Sequence, residues 1–171
     1  ARVDMVDEEI LRRMKESGCW QILYGIESGS QKILDFLKKG IIIEQIKKTL
    51  KITKKAKIKA KGFFILGNPL ETKQTLNQTL DFIKKADLDD ISLTFFTPYP
   101  GTEIYPIAEN YGSVDKDWRK MNQFEIVFVP KGLTKVDLFL FSQKMYQKFY
   151  FRIKIIFSYL KRTKNLFQLK D

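Results

Sequence analysis

The chain has 171 residues, 44% of them apolar, and a net charge of +11 from 31 basic and 20 acidic residues, which suits one ordinary domain with enough apolar side chains for a core. It holds no histidine and one cysteine, Cys19, which excludes a Ser-His-Asp triad, an imidazole-ligated metal, an internal disulfide and a cluster held by several thiolates of this chain. Only six of the basic residues are arginines and no apolar run approaches a membrane span of ~20 residues, so nucleic acid is not the expected partner, and the single thiol and polar start at Arg2, Asp4 and Asp7 make the cytoplasm the expected location.

Strand-like and helix-like segments alternate along the chain. Asp7 can cap a helix with Glu8 and Glu9 in its first turn and Val6, Ile10 and Met14 on its buried face, ended by Gly18. Cys19 to Ile26 is an almost unbroken apolar and aromatic run, the pattern of a strand covered on both faces. Ser30 caps a short helix with Ile33, Leu34 and Leu37 inside, stopped by Gly40, and a second helix runs from about 43 to 57 with Ile46, Leu50 and Thr53 on one side. Gly62 to Leu66 reads as the next strand, broken by Gly67-Asn68-Pro69, and Thr72 caps a helix whose face is Leu76, Leu80 and Ile83. Ile91 to Phe96 is a further strand, ending in the turn-rich Thr97-Pro98-Tyr99-Pro100-Gly101. This order calls for parallel strands with right-handed crossovers, in a doubly wound sheet or a (β/α) barrel.

Between Ile26 and Gly62 lie 35 residues, about twice what one crossover helix needs. The surplus is the short helix after Ser30, and extra helices directly after a strand sit at the C-terminal mouth where such folds bind ligands. The expected ligand site is therefore Gly25-Ile26-Glu27-Ser28-Gly29-Ser30. Glu27 there can accept hydrogen bonds from a hydroxyl pair or an amino group, or can merely complement a helix dipole at ~0.3–1 kcal/mol. The phosphate-loop pattern GxxxxGK[ST] and the dinucleotide pattern GxGxxG are both absent.

Ala1-Arg2-Val3-Asp4, Gly25-Ile26-Glu27-Ser28-Gly29-Ser30, Lys38-Lys39-Gly40, Gly62-Phe63-Phe64-Ile65-Leu66-Gly67 and Phe96-Thr97-Pro98-Tyr99-Pro100-Gly101-Thr102 follow one another in that order. Together they resemble the C-terminal half of a radical S-adenosylmethionine (SAM) enzyme, most nearly the group with an N-terminal cobalamin-binding domain. Asp117-Trp118, Val127-Phe128-Val129-Pro130-Lys131-Gly132-Leu133-Thr134 and Phe149-Tyr150-Phe151-Arg152 extend the resemblance into the tail. It implies an α/β fold: residues 1–114 as the C-terminal half of a (β/α)6 barrel, opened at one side, and 115–171 as a mostly helical C-terminal extension. Ala1–Asp4 would be the tail of the preceding barrel strand.

The resemblance also implies cofactors and roles. The intact enzyme would bind SAM at the barrel mouth and, with a [4Fe-4S] cluster, generate a 5′-deoxyadenosyl radical for cobalamin-dependent methyl transfer or for radical cyclisation or rearrangement. The cluster's thiolates would lie upstream of residue 1, so no metal ligand is assigned here. The 171 residues are expected to be an inactive fragment whose first partner is the missing N-terminal half. Glu27, with its neighbour Ser28, corresponds to the polar position that hydrogen-bonds SAM, and Lys39 to a basic position that can pair with the methionyl carboxylate. Arg2 takes another cofactor-facing position, and Ile65 and Leu66 lie where the family packs the adenine and lends it backbone hydrogen bonds. Thr97 and Tyr99 border the region left for substrate, Tyr99 stiffened between Pro98 and Pro100.

From Asp115 onward a helical turn at Asp117-Trp118, an edge strand over Glu125–Val129 and a long helix over Thr134–Arg162 are expected. From Lys131 to Asp171 there are ten basic and two acidic residues, interleaved with phenylalanine and tyrosine. Such a segment either covers the barrel's open edge with its lysines solvated, or lies on the anionic inner face of a membrane. In the second case the small-molecule substrate would be a lipid, terpenoid or pigment precursor. The alternative to an enzyme is a non-catalytic barrel remnant acting as a binding or membrane-associated scaffold module.

Overall fold

A three-stranded parallel sheet organises the chain, and the structure, a computed structural model, describes residues 1–160. In chain order the elements are α1 (Glu8–Glu16), β1 (Gln21–Glu27), α2 (Gln31–Phe36), α3 (Ile43–Lys55), β2 (Lys59–Leu66), α4 (Lys73–Lys85) and β3 (Asp90–Phe95). The short antiparallel strands β4 (Gly112–Val114) and β5 (Phe128–Pro130) follow, and then α5 (Lys135–Tyr150) and α6 (Ile153–Leu160). The sheet order is β1-β2-β3, each pair joined through helices, as the sequence leads one to expect. A closed barrel is not formed by the described residues; the sheet is a partial one.

One face of the sheet is dry. Ile22, Tyr24 and Ile26 of β1, Ala60, Phe64 and Leu66 of β2, and Ile91 and Leu93 of β3 pack against Leu11, Ile46, Leu50, Leu76, Leu80 and Ile83 of the helices. The Tyr24 hydroxyl shares a 2.8 Å hydrogen bond with Thr53, so the one polar atom on this face of β1 is satisfied inside the core. The opposite face carries Leu23, Lys61, Phe63, Ser92 and Asp90, all partly exposed.

That asymmetry corrects the expectation of a strand covered on both faces: β1 starts at Gln21, and its burial alternates with Leu23 43% exposed. β2 begins at Lys59, three residues before Gly62, because Lys59 and Lys61 point to the wetter face while Ala60 fills the core. On α1 the buried side chain is Leu11, and Ile10 is exposed. The expected edge strand near Glu125–Val129 is the three-residue β5, shifted toward Pro130. Because β4 and β5 pair, Gly112–Val114 are tied to residues beyond 115.

The expected helix over Thr134–Arg162 is two helices, α5 and α6, separated at Phe151-Arg152; residues 161–171, and so its last two positions and the final basic residues, lie outside the described part. α5 lies along the free edge of β3. The Leu93 N–H donates to the Tyr146 hydroxyl at 3.0 Å, and the Phe95 N–H to the Gln123 carbonyl at 2.8 Å, so this edge has no open ladder donors at those positions. The segment at Gln123 and α5 therefore cover this edge of the sheet. Among the described residues no helix is long and apolar enough to cross a membrane.

Candidate functional site at the C-terminal strand ends

The ladder between β1 and β2 loses register between Gly25 and Glu27. Glu27 is the last residue of β1 and sits at φ 68°, in the left-handed region that non-glycine residues avoid. The Ser28 N–H donates to the Ile26 carbonyl at 2.9 Å, closing a three-residue turn centred on Glu27. A positive φ inside an i to i+2 turn is the rare, strained γ-turn, and such residues cost about 1–3 kcal/mol unless their surroundings hold them.

The strain directs the Glu27 side chain back over the strand end. Its carboxylate accepts from Lys39 Nζ at 2.6 Å, with the two side chains only 17% and 20% exposed. Gly25 makes room for this pair: a Cβ there would lie 2.7 Å from Glu27 Oε1 and 3.4 Å from Lys39 Nζ. Lys39 follows α2, whose closing turn includes Lys38 at φ 50°. Arg2 joins from the other side, donating to the Lys39 carbonyl at 3.0 Å while its guanidinium pairs with Asp4. Glu27, Lys39 and Arg2, distant in sequence, thus form one cluster. Beside it the Ala1 ammonium donates to the Leu23 carbonyl and the Gly25 N–H donates to the Ala1 carbonyl, so Ala1 pairs along β1 as a neighbouring strand would.

The remaining expected site residues fall differently. Ser28 is buried, its hydroxyl turned toward Thr79 of α4 at 3.1 Å, beside the turn that presents Glu27. Leu66 is also buried on the helix side, its carbonyl taken by the Phe96 N–H. Ile65 is half-buried on the opposite face, and its carbonyl accepts from Asn68 Nδ2 at 2.7 Å. The Thr97 hydroxyl donates to the Asn122 carbonyl, and Tyr99 stands 44% exposed on the turn that follows. An open groove of about 350 Å³ lies next to that turn, lined by Phe36, Lys38, Phe96, Ile107 and Tyr111 but not by Tyr99.

Two participants were not foreseen. Glu71, 1% exposed, accepts from the backbone N–H groups of Gly67 and Asn68 and fixes the loop after β2. Thr79 receives the loop after β1. For Thr79 the sequence carries a signal: Thr75 and Thr79 stand four residues apart on an otherwise apolar helix face, where hydroxyls need a partner. Buried with no hydrogen-bond partner among the described residues are Ser30 Oγ and Asn68 Oδ1, in the loops after β1 and β2. Ser30 occupies the N-cap position of α2, yet its side chain makes no cap bond, contrary to expectation.

A zwitterionic amino acid group suits this constellation, since it offers an ammonium to Glu27 and a carboxylate to Lys39 over a strand end stripped of its Cβ. A [4Fe-4S] cluster does not suit it. The one cysteine, Cys19, precedes β1 at the opposite end of the sheet, and no group of His, Cys, Asp or Glu among the described residues could hold a metal ion.

Comparison with known proteins bears on the family and the fold. The profile of the Radical SAM superfamily matches residues 2–83. The uncharacterized methyltransferase PH0819 of Pyrococcus horikoshii is 38% identical over 158 residues, which are 91% of this chain and 34% of that protein. The anaerobic magnesium-protoporphyrin IX monomethyl ester cyclase of Cereibacter sphaeroides is 28% identical over 153 residues, 90% of this chain and 25% of the cyclase. The chain thus spans a quarter to a third of the length of these relatives. Among solved structures, the radical S-adenosylmethionine methyltransferase TsrM of Kitasatospora setae, with cobalamin and a [4Fe-4S] cluster bound, superposes with a TM-score of 0.57 at 20% identity, covering 79% of this chain and 28% of TsrM.

Proposed function

Because the chain belongs to the radical SAM superfamily, we propose that it is the C-terminal part of a radical SAM catalytic core and holds SAM at the ends of β1 and β2. The observation that carries this reading is the Glu27–Lys39 pair, seated over Gly25 and largely withdrawn from water. Lys39 stands where a methionyl ammonium would meet Glu27, and Glu27 where a methionyl carboxylate would meet Lys39, so ligand binding exchanges one ion pair for two. Arg2, held by Asp4, ties down the backbone of Lys39 through its carbonyl. Ile65, half-buried on the same face of the sheet as the Glu27 end of β1, offers an apolar surface to the adenine. Ser28 and Leu66 act behind this surface and not on it.

Bound beside a reduced cluster, SAM would supply radical chemistry, and Glu27, Lys39, Arg2 and Ile65 would hold and shield it. The cluster's thiolates would come from sequence outside these 171 residues, which hold a single cysteine. In function, 1–114 would carry the cofactor, and 115–171 would close the edge of the sheet. A methyltransferase and a cyclase among the relatives support methyl transfer or radical ring closure as the outcome, with cobalamin as a further cofactor of the whole enzyme. The cyclase also supports a pigment precursor among the expected substrate classes.

The test uses the full-length enzyme with its cluster assembled. Glu27→Ala and Lys39→Ala should each weaken SAM binding by about one to two decades, since hydrogen bonds to charged groups contribute about 1.5–3 kcal/mol. Equilibrium dialysis with labelled SAM reads the affinity. Wild-type affinity in both variants would reduce the pair to a structural ion pair.

A further inference from the structure

We propose that Thr79, on the buried face of α4 and out of reach of the ligand, is the positioning residue that holds Glu27 in its binding geometry. The inference rests on the SAM reading above and extends it to a residue that touches no cofactor.

The loop after Glu27 is pinned to α4 by a directed chain of hydrogen bonds. The Ser30 N–H donates to Ser28 Oγ at 3.1 Å, and the Ser28 hydroxyl reaches Thr79 Oγ1 at 3.1 Å. The Gly29 N–H donates to the same Thr79 oxygen at 3.1 Å, and the Thr79 hydroxyl passes on to the Thr75 carbonyl at 3.2 Å. One proton arrangement satisfies every member: Thr79 accepts twice and donates once, its full capacity. Ser28, Thr75 and Thr79 are all buried, so none of these bonds can be exchanged cheaply for water.

Contact between loop and helix is as close as the backbone permits. A Cβ on Gly29 would lie 2.5 Å from Phe82 Cβ and 2.7 Å from Thr79 Cα. Glu27 is the residue immediately before this clamp and the one whose φ is strained. Released from Thr79, residues 28 and 29 can move off α4, and Glu27 can relax to negative φ. That rotation carries its Cβ away from Gly25 and ends the alignment of its carboxylate with Lys39. The Thr79 hydroxyl thereby acts on the ligand only through Glu27.

The experiment compares Thr79→Val, Thr79→Ser, Glu27→Ala and the double variant Glu27→Ala/Thr79→Val in the full-length enzyme with its cluster, reading SAM affinity and the hydrogen exchange of the Ser28 and Gly29 amides. Thr79→Val keeps the volume and removes the acceptor, and should weaken SAM binding by about tenfold or more. Thr79→Ser should restore binding, and the double variant should bind no worse than Glu27→Ala alone. Amide exchange at 28 and 29 should speed up in Thr79→Val and stay slow in Thr79→Ser. Normal binding by Thr79→Val beside a weakened Glu27→Ala overturns the inference. So does failure of serine to rescue, or full additivity in the double variant. Unchanged SAM affinity in Glu27→Ala would instead sink the SAM reading, and the exchange data would then decide separately whether Thr79 holds the turn. If Thr79→Val does not fold, Ser28→Ala replaces it with the same expected and overturning results.

Discussion

Glu71 shows how burial and hydrogen bonding compete at a single side chain. Gly67, Asn68 and the Asn68 amide all donate toward its Oε2, and the Thr75 hydroxyl is within 3.4 Å of Oε1. Burial nevertheless outweighs these donors and pushes the carboxyl up to about 7. A folded-state value above the ordinary carboxylate range means the group favours folding fully at low pH. That contribution is lost as pH rises from about 4.3 to about 7 and is level beyond. Urea denaturation of the full-length protein and its Glu71→Gln variant between pH 5 and 8 should show it: relative to the variant, wild type should lose up to about 1.4 kcal/mol per pH unit below neutrality. A difference independent of pH would mean that Glu71 stays ionised throughout. At this scale the sequence was partly legible. Glu27 stands out through its position between a strand end and Gly29, and Lys39 through the motif after the short helix, but their pairing is a product of the left-handed Glu27, which no local pattern announces. Thr72 was readable as a cap, and it does accept the Thr75 N–H. Glu71 beside it was not, because a carboxylate in a loop ordinarily reads as solvated.

At the scale of elements, the break between α5 and α6 is made by one long side chain. Arg152 donates from one guanidinium nitrogen to the Ile83 carbonyl and from another to the Ala86 carbonyl, both at 3.1 Å, capping the C-terminus of α4 while lying over the Phe149 ring. Lys154, just beyond, pairs with Asp87, which also holds Lys54 of α3; these lysines keep the Asp87 carboxyl below its usual range. The chain therefore turns at residue 152 to reach the end of α4, although Tyr150-Phe151-Arg152 contains neither glycine nor proline to mark a stop. That explains why the sequence reads as a single helix: the interruption comes from tertiary capping, not local propensity. Truncating Arg152 to alanine should lower the unfolding free energy by about 1.5–3 kcal/mol. Lysine at 152 should recover only part of this, since an ammonium lacks the fork that spans two carbonyls. Chemical denaturation of the three forms of the full-length protein measures it, and an alanine variant as stable as wild type would show the cap to be dispensable.

Viewed as a whole molecule, the described residues bury one face of the sheet and leave Leu23 and Phe63 partly exposed on the other, with Trp20 exposed at its entrance. The alternation of strand and helix made the parallel sheet legible, and the motifs made its family legible. The coverage of each face was not, because a strand in half a barrel carries the same apolar run as one sealed on both sides. Expressed alone, this span should bind an apolar-surface dye and elute as more than its 20.2 kDa. A dye-silent monomer melting cooperatively would show that the partly exposed face needs no cover. The two borders of the sheet also differ. At β1, Ala1 runs alongside the strand, whereas at β3 Tyr146 and Gln123 take up the outward N–H groups of Leu93 and Phe95. The β3 flank is shut to strand addition at those two positions: an incoming strand would have to displace a tyrosine hydroxyl and a backbone carbonyl before it could pair there.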